Sequence, residues 1–211
     1  NLEIESLRSY PYKDITSNVL GYIGQISEEE LKQTEFANYS SGELIGKTGI
    51  EGTYEHILKG TDGKELIEVD SLGKVVRKLG KTDPIPGKNI TLTLDYNLQK
   101  AAYDAVKDVK KGAVIVSTPK GEILALVSNP SFDPNLFTQG GDVSQVLSDQ
   151  ENQPLLNRAI GGVYPPGSTF KLVTAAAALE EKKIDSDFEV EDTGVLTIGE
   201  FSFASWYFTQ Y

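Results

Sequence analysis

The 211 residues are 39% hydrophobic and 24% charged, the composition of a globular chain with room for one good core and a smaller second unit. A formal net charge of -11 and a pI near 4.6 speak against nucleic acid as a partner and leave no basic patch for anionic lipid. Cysteine is absent, which excludes disulfides, thiolate metal sites and cysteine nucleophiles.

No methionine occurs, and the chain begins at Asn1, so the sequence reads as a piece of a longer protein. No apolar run approaches the ~18 residues of a membrane span, and no signal-peptide pattern is present. Any anchor would lie upstream or have been removed.

In chain order, an extended start around Tyr10-Pro11-Tyr12 precedes a helix predicted at 27–32, where Ser27 is the cap and Glu30 completes a capping box. A second helix is predicted near 51–59. The runs 65–69 and 74–79, separated by Asp70-Ser71-Leu72-Gly73, read as a hairpin. Pro84-Ile85-Pro86-Gly87 then marks a joint between a turn-rich mixed region, residues 1–86, and a second region, residues 87–211.

Alternation over 89–94 predicts a strand, and Asp95 caps a helix over 96–109. The apolar runs 113–116 and 122–127 flank a turn and predict an antiparallel pair buried on both faces, with helices covering it. Ser131-Phe132-Asp133-Pro134-Asn135 and Gly140-Gly141 read as loops leading through Leu155-Leu156-Asn157-Arg158 toward a serine helix.

That helix opens at Tyr164-Pro165-Pro166-Gly167-Ser168-Thr169-Phe170-Lys171. The prolines remove donors, Gly167 permits a sharp turn, and a helix is expected to begin at or next to Ser168. Residues three apart share a helix face, so Lys171 can reach the Ser168 hydroxyl, beside unpaired N–H groups at a helix start. This is the arrangement of an activated nucleophile. Two other Ser-x-x-Lys matches, Ser71 to Lys74 and Ser117 to Lys120, fall in turns. For Ser168 the competing reading is a simple N-cap. From Phe170 to Leu179 the strongly polar side chains are Lys171 and Thr174, which predicts a helix buried nearly all round, where burial would disfavour a charged lysine unless it snorkels to the surface.

Two further candidates are set aside. Lys47-Thr48-Gly49 precedes the serine and reads as a turn, and the lone His56 has no ligand or acid-base partners and reads as a helix-surface residue.

These motifs, taken together, resemble the class B penicillin-binding proteins. The Tyr-Pro-Pro-Gly-Ser-Thr-Phe-Lys segment is similar to their active-site serine segment. Leu98-Gln99, Gly121-Glu122-Ile123-Leu124-Ala125, the Phe132-Asp133-Pro134-Asn135 loop and Leu155-Leu156-Asn157-Arg158-Ala159 stand in family order. Arg8-Ser9-Tyr10-Pro11, Val19-Leu20-Gly21-Tyr22 and Gly46-Lys47-Thr48-Gly49-Ile50-Glu51 resemble the non-catalytic pedestal and linker. The linker and the ending from Phe201 are more like the elongation-type members than the division-type ones. Asn18 stands where the resemblance leads one to expect histidine.

The resemblance implies an α+β fold: a small mixed pedestal over 1–86, plus the first part of a transpeptidase domain over 87–211, with an antiparallel sheet covered by helices. It implies a peptidoglycan D,D-transpeptidase with Ser168 as nucleophile and Lys171 as base, needing no cofactor and no metal. Implied partners are peptidoglycan stem peptides, β-lactams, a membrane glycosyltransferase and cell-elongation proteins, at the extracytoplasmic face of a bacterial membrane. The signature of such enzymes includes a Ser-x-Asn triplet and a Lys-Thr-Gly after the serine. Neither occurs after Ser168, so this chain is expected to acylate poorly or not at all. A class D serine β-lactamase and a non-enzymatic β-lactam sensor or scaffold are the rival readings.

Overall fold

A computed structural model describes residues 7–205 and 207. It forms two compact units, Asn1–Val163 and Tyr164–Tyr211.

In the first unit, α1 (Ser17–Leu20) is followed by β1 (Ile23–Gln25), β2 (Leu44–Gly46), α2 (Gly49–Thr53) and α3 (Glu55–Leu58). Strands β1 and β2 pair antiparallel, Ile23 opposite Gly46, with Ile23 and Ile45 buried. The capping box forms as expected: Ser27 N donates to Glu30 at 2.7 Å and Glu30 N to Ser27 Oγ at 3.2 Å. It caps only a single 3₁₀ turn, Glu30–Lys32, because Gln33 turns extended and one turn cannot repay helix nucleation. The helix expected over 51–59 is likewise split, at Tyr54, whose φ of -113° and ψ of 22° leave the helical region.

The predicted hairpin is present as β3 (Lys64–Val69) and β4 (Val75–Thr82), antiparallel, with two bulges and every strand residue exposed. The strand expected over 89–94 is not formed. Its alternation survives, with Ile90, Leu92 and Leu94 half-buried and Asn89, Thr91 and Thr93 exposed, but among the described residues no strand lies alongside to close a ladder.

Asp95 then caps α4 (Tyr96–Val106), accepting from Asn97 N and Leu98 N. The helix packs on the antiparallel pair β5 (Gly112–Ser117) and β6 (Ile123–Asn129). Burial on both faces holds for the second half of β6 alone. Strand β5 alternates, with Ala113 and Ile115 exposed, since a two-stranded sheet covered by helix on one side leaves the other open. Short helices α5 (Asn135–Thr138), α6 (Ser144–Ser148) and α7 (Arg158–Gly161) follow, so Asn135 starts a helix instead of lying in a loop.

The second unit has a 3₁₀ turn, Gly167–Phe170, running directly into α8 (Lys171–Glu180), then an antiparallel hairpin of β7 (Val195–Ile198) and β8 (Phe201–Ala204). Helix α8 is largely exposed, contrary to the burial that its apolar run predicts. Leu172 is 78% and Val173 55% exposed, because so short a unit has too little chain to enclose a helix. Among the described residues, no helix is long and apolar enough to cross a membrane.

Candidate active site

Ser168 lies in the 3₁₀ turn and Lys171 opens α8, one turn further on; both are exposed. The competing N-cap reading is not realised, since no side-chain capping bond closes either helical start. Thr169 makes the local bond instead, its hydroxyl donating to Pro166 O. The Ser168 backbone N–H has no acceptor among the described residues, as expected of a first-turn donor. Gly167 carries a φ of +53°, the left-handed conformation that turns the chain from the prolines into the helix. No hydrogen bond joins the Ser168 hydroxyl to the Lys171 ammonium among the described residues. The arrangement therefore offers a hydroxyl, an amine one turn away and a free N–H donor on one short stretch.

The motif residues upstream, to which the sequence alone assigns no role, form a buried polar framework. Gln99, 1% exposed, donates through Nε2 to Ile15 O (2.7 Å) and Leu126 O (2.8 Å) and accepts from Leu126 N (2.8 Å), pinning α4 to β6. Arg158, 5% exposed, donates to the carbonyls of Asn152, Gln153 (3.0 Å) and Leu156 (3.4 Å), holding the loop before α7 without a carboxylate partner among the described residues. Asn157 caps α7 by accepting from Ala159 N (3.1 Å) and donates to Asn18 O (2.9 Å). The signal for all of these was a strong hydrogen-bonding side chain amid apolar neighbours, which demands partners once buried.

Arg8, Tyr10 and Glu51 meet in a second cluster. The Arg8 guanidinium lies 3.0 Å from Glu51, and the Tyr10 hydroxyl donates to the same carboxylate at 3.2 Å. Burial pushes the Glu51 carboxyl above its ordinary value, against the opposing pull of Arg8. Burial and the neighbouring Glu51 charge push the Tyr10 phenol up as well.

Lys47-Thr48-Gly49 joins β2 to α2 as a turn, with Lys47 paired to Glu30 at 2.5 Å, and His56 is exposed on α3. Among the described residues no group of histidine and carboxylate side chains could hold a metal.

Two family models match the chain: the penicillin-binding protein dimerisation domain over residues 1–92 and the penicillin-binding protein transpeptidase domain over residues 111–210. The peptidoglycan D,D-transpeptidase MrdA of Acinetobacter baumannii is 43% identical over 92% of this chain and 29% of its own length; that of Escherichia coli K12 is 41% identical over 89% and 30%. Penicillin-binding protein 2 of Helicobacter pylori, solved in complex with MreC, superposes with a TM-score of 0.76 at 32% identity, covering 95% of this chain and 37% of that one. Pseudomonas aeruginosa penicillin-binding protein 2, solved with WCK 5153, gives a TM-score of 0.70 at 34% identity, covering 98% and 42%. The chain thus spans about three tenths of the length of the curated relatives it matches. By both domain models, by identity and by fold, the chain belongs to the penicillin-binding protein family and is of the penicillin-binding protein 2 type.

Proposed function

We propose that this chain is part of a peptidoglycan D,D-transpeptidase, with residues 1–86 as pedestal and 87–211 as the first part of the catalytic domain. The observation that carries the reading is the transpeptidase match over 111–210, which includes Ser168 at a helical start with Lys171 one turn on.

Ser168 attacks the penultimate D-alanine carbonyl of a stem peptide ending in D-Ala-D-Ala. Lys171 takes the hydroxyl proton, the tetrahedral oxyanion forms beside the free Ser168 N–H, and the terminal D-alanine leaves with a proton. The amine of a neighbouring stem peptide then displaces Ser168 from the acyl-enzyme and forms the cross-link. A β-lactam replaces the first substrate and stalls at the acyl stage. Work alongside a membrane glycosyltransferase and cell-elongation proteins, on the extracytoplasmic face, fits the relatives solved with MreC and in a peptidoglycan synthase complex. The dimerisation-domain match over residues 1–92 disfavours a class D β-lactamase.

A labelled penicillin tests the proposal. In the protein extended to the length of its relatives it should attach covalently at Ser168, while this chain alone should label slowly or not at all. Labelling at any other residue overturns the assignment of the nucleophile.

A further inference from the structure

The chain between β1 and β2 leaves the two-stranded sheet at a neck, where Ile26 N donates to Glu43 O at 2.9 Å. Beyond that neck no side chain from 27 to 43 is buried. The excursion holds its own shape. Ser27 and Glu30 close one end, Ser40 N donates to Glu43 at 3.0 Å to close the other, and the Phe36 and Tyr39 rings meet edge to face at 5.3 Å. A loop whose ends meet and whose side chains pack on one another can move as one piece.

Polar hooks fasten this piece to the rest of the unit. Lys47 pairs with Glu30 at 2.5 Å, and Lys59 pairs with Glu43 at 2.6 Å. Between them in sequence, the Tyr39 hydroxyl donates to Glu55 at 2.9 Å, and the Lys59 ammonium stands 3.2 Å from the centre of the Tyr39 ring. Beneath the piece lies a hollow of about 360 Å³, bounded by Glu30, Gln33 and Phe36 above and by Gly46, Gly49 and Gly52 below. Gly42, beside the neck, has a φ of +89° and nothing within 4 Å of where a Cβ would stand, so the backbone there is free to take up a rotation.

We propose that residues 27–43 form a strap latched by charge, which swings away as a folded piece about the Ile26–Glu43 neck and bares Lys47, Lys59 and the glycine-lined wall. With no buried apolar side chain to anchor it, its closing rests on the two ion pairs and on the Tyr39 contacts. Segments held in this way open at lower cost than the core they lie on. The strap stands on residues 26–59 and is independent of the Ser168 chemistry.

Because the chain has no cysteine, nitroxide labels can be placed at chosen exposed positions: Ala37→Cys or Glu28→Cys on the strap, each paired with His56→Cys on α3. Pulsed electron resonance then reads the distance between the two labels. The expected result is one short distance in the otherwise unsubstituted chain. In Lys47→Gln/Lys59→Gln a second, longer distance should appear, with the open fraction raised about fivefold or more. Lys47→Arg/Lys59→Arg keeps both charges and should keep the single short distance. Lys59→Gln alone should lengthen the distance from Glu28→Cys, at the end that Lys59 does not hook, because the piece moves as one. An unchanged distance in the double glutamine variant overturns the proposal. So does a broad spread of distances in place of a second one, which would mean that the strap unfolds instead of swinging, and so does a change confined to the end whose lysine was replaced.

Discussion

Asn135 holds the backbone of Tyr10 with both ends of its amide: Oδ1 accepts from Tyr10 N at 2.9 Å and Nδ2 donates to Tyr10 O at 2.9 Å. The carboxamide is itself fixed by Asp133, whose carboxylate accepts from Asn135 N (2.9 Å) and Nδ2 (2.7 Å). A single side chain thus substitutes for a strand partner between segments far apart in sequence.

Asn135→Ala therefore leaves a buried N–H and a buried carbonyl unpaired, and should cost about 2–4 kcal/mol of unfolding free energy. Tyr10→Phe removes the bond to Glu51, which retains Arg8, and should cost about 1 kcal/mol. Urea melts of the two variants test the ranking; a smaller loss for Asn135→Ala than for Tyr10→Phe would contradict the clamp.

Two carboxylates give opposite pH signatures. Glu51 has its folded value raised by burial, so the native state binds its proton more tightly than the unfolded chain does, and stability falls as pH rises above the ordinary glutamate value. Glu30 is held at about 2, chiefly by the hydrogen bond from Lys47, so its contribution is present above about 4.5 and is lost as pH falls toward 2. Melts across pH should therefore show Glu51→Gln flattening the fall on the alkaline side of that value, and Glu30→Gln flattening the acid limb. An unchanged slope in either variant removes that residue from the account.

What the sequence could show depended on whether an element closes its own contacts. The 64–82 hairpin, the Asp95 cap and the Ser27–Glu30 box need only neighbours in sequence, and all three stand in the structure. The 89–94 strand and the burial of α8 depend on chain packed against them, and no periodicity supplies that. Ser168 and Lys171 stand one turn apart, as their local spacing predicts, and the roles proposed for them rest on that spacing. The role of Asn135 was not, because its partner is Tyr10.

Gly49 makes the Lys47-Thr48-Gly49 turn testable as a structural element. Its φ is +60°, and a Cβ would stand 2.5 Å from Val19 O and 2.6 Å from Gly21 N. Gly49→Ala should therefore destabilise the chain by more than about 1 kcal/mol. Lys47→Ala loses one part-exposed ion pair and should cost about 1 kcal/mol or less. In the protein extended to the length of its relatives, Lys47→Ala should leave penicillin acylation unchanged. A loss of acylation there, at undiminished stability, would give this turn a catalytic part that its position in front of α2 does not suggest.

The division of labour proposed for Ser168 and Lys171 can be tested residue by residue. If Ser168 is the nucleophile, Ser168→Ala abolishes covalent labelling of the extended protein outright. If Lys171 is the base, Lys171→Ala slows acylation by about 10²–10⁴-fold while noncovalent penicillin affinity changes little, because proton transfer contributes to the transition state and not to the encounter. Arginine at 171 should not rescue the rate, since a guanidinium keeps its proton at any working pH. Stopped-flow acylation separates the rate from the affinity. An unchanged rate in Lys171→Ala, or full rescue by Lys171→Arg, would leave Lys171 as a positive charge near the serine and assign the proton to another group.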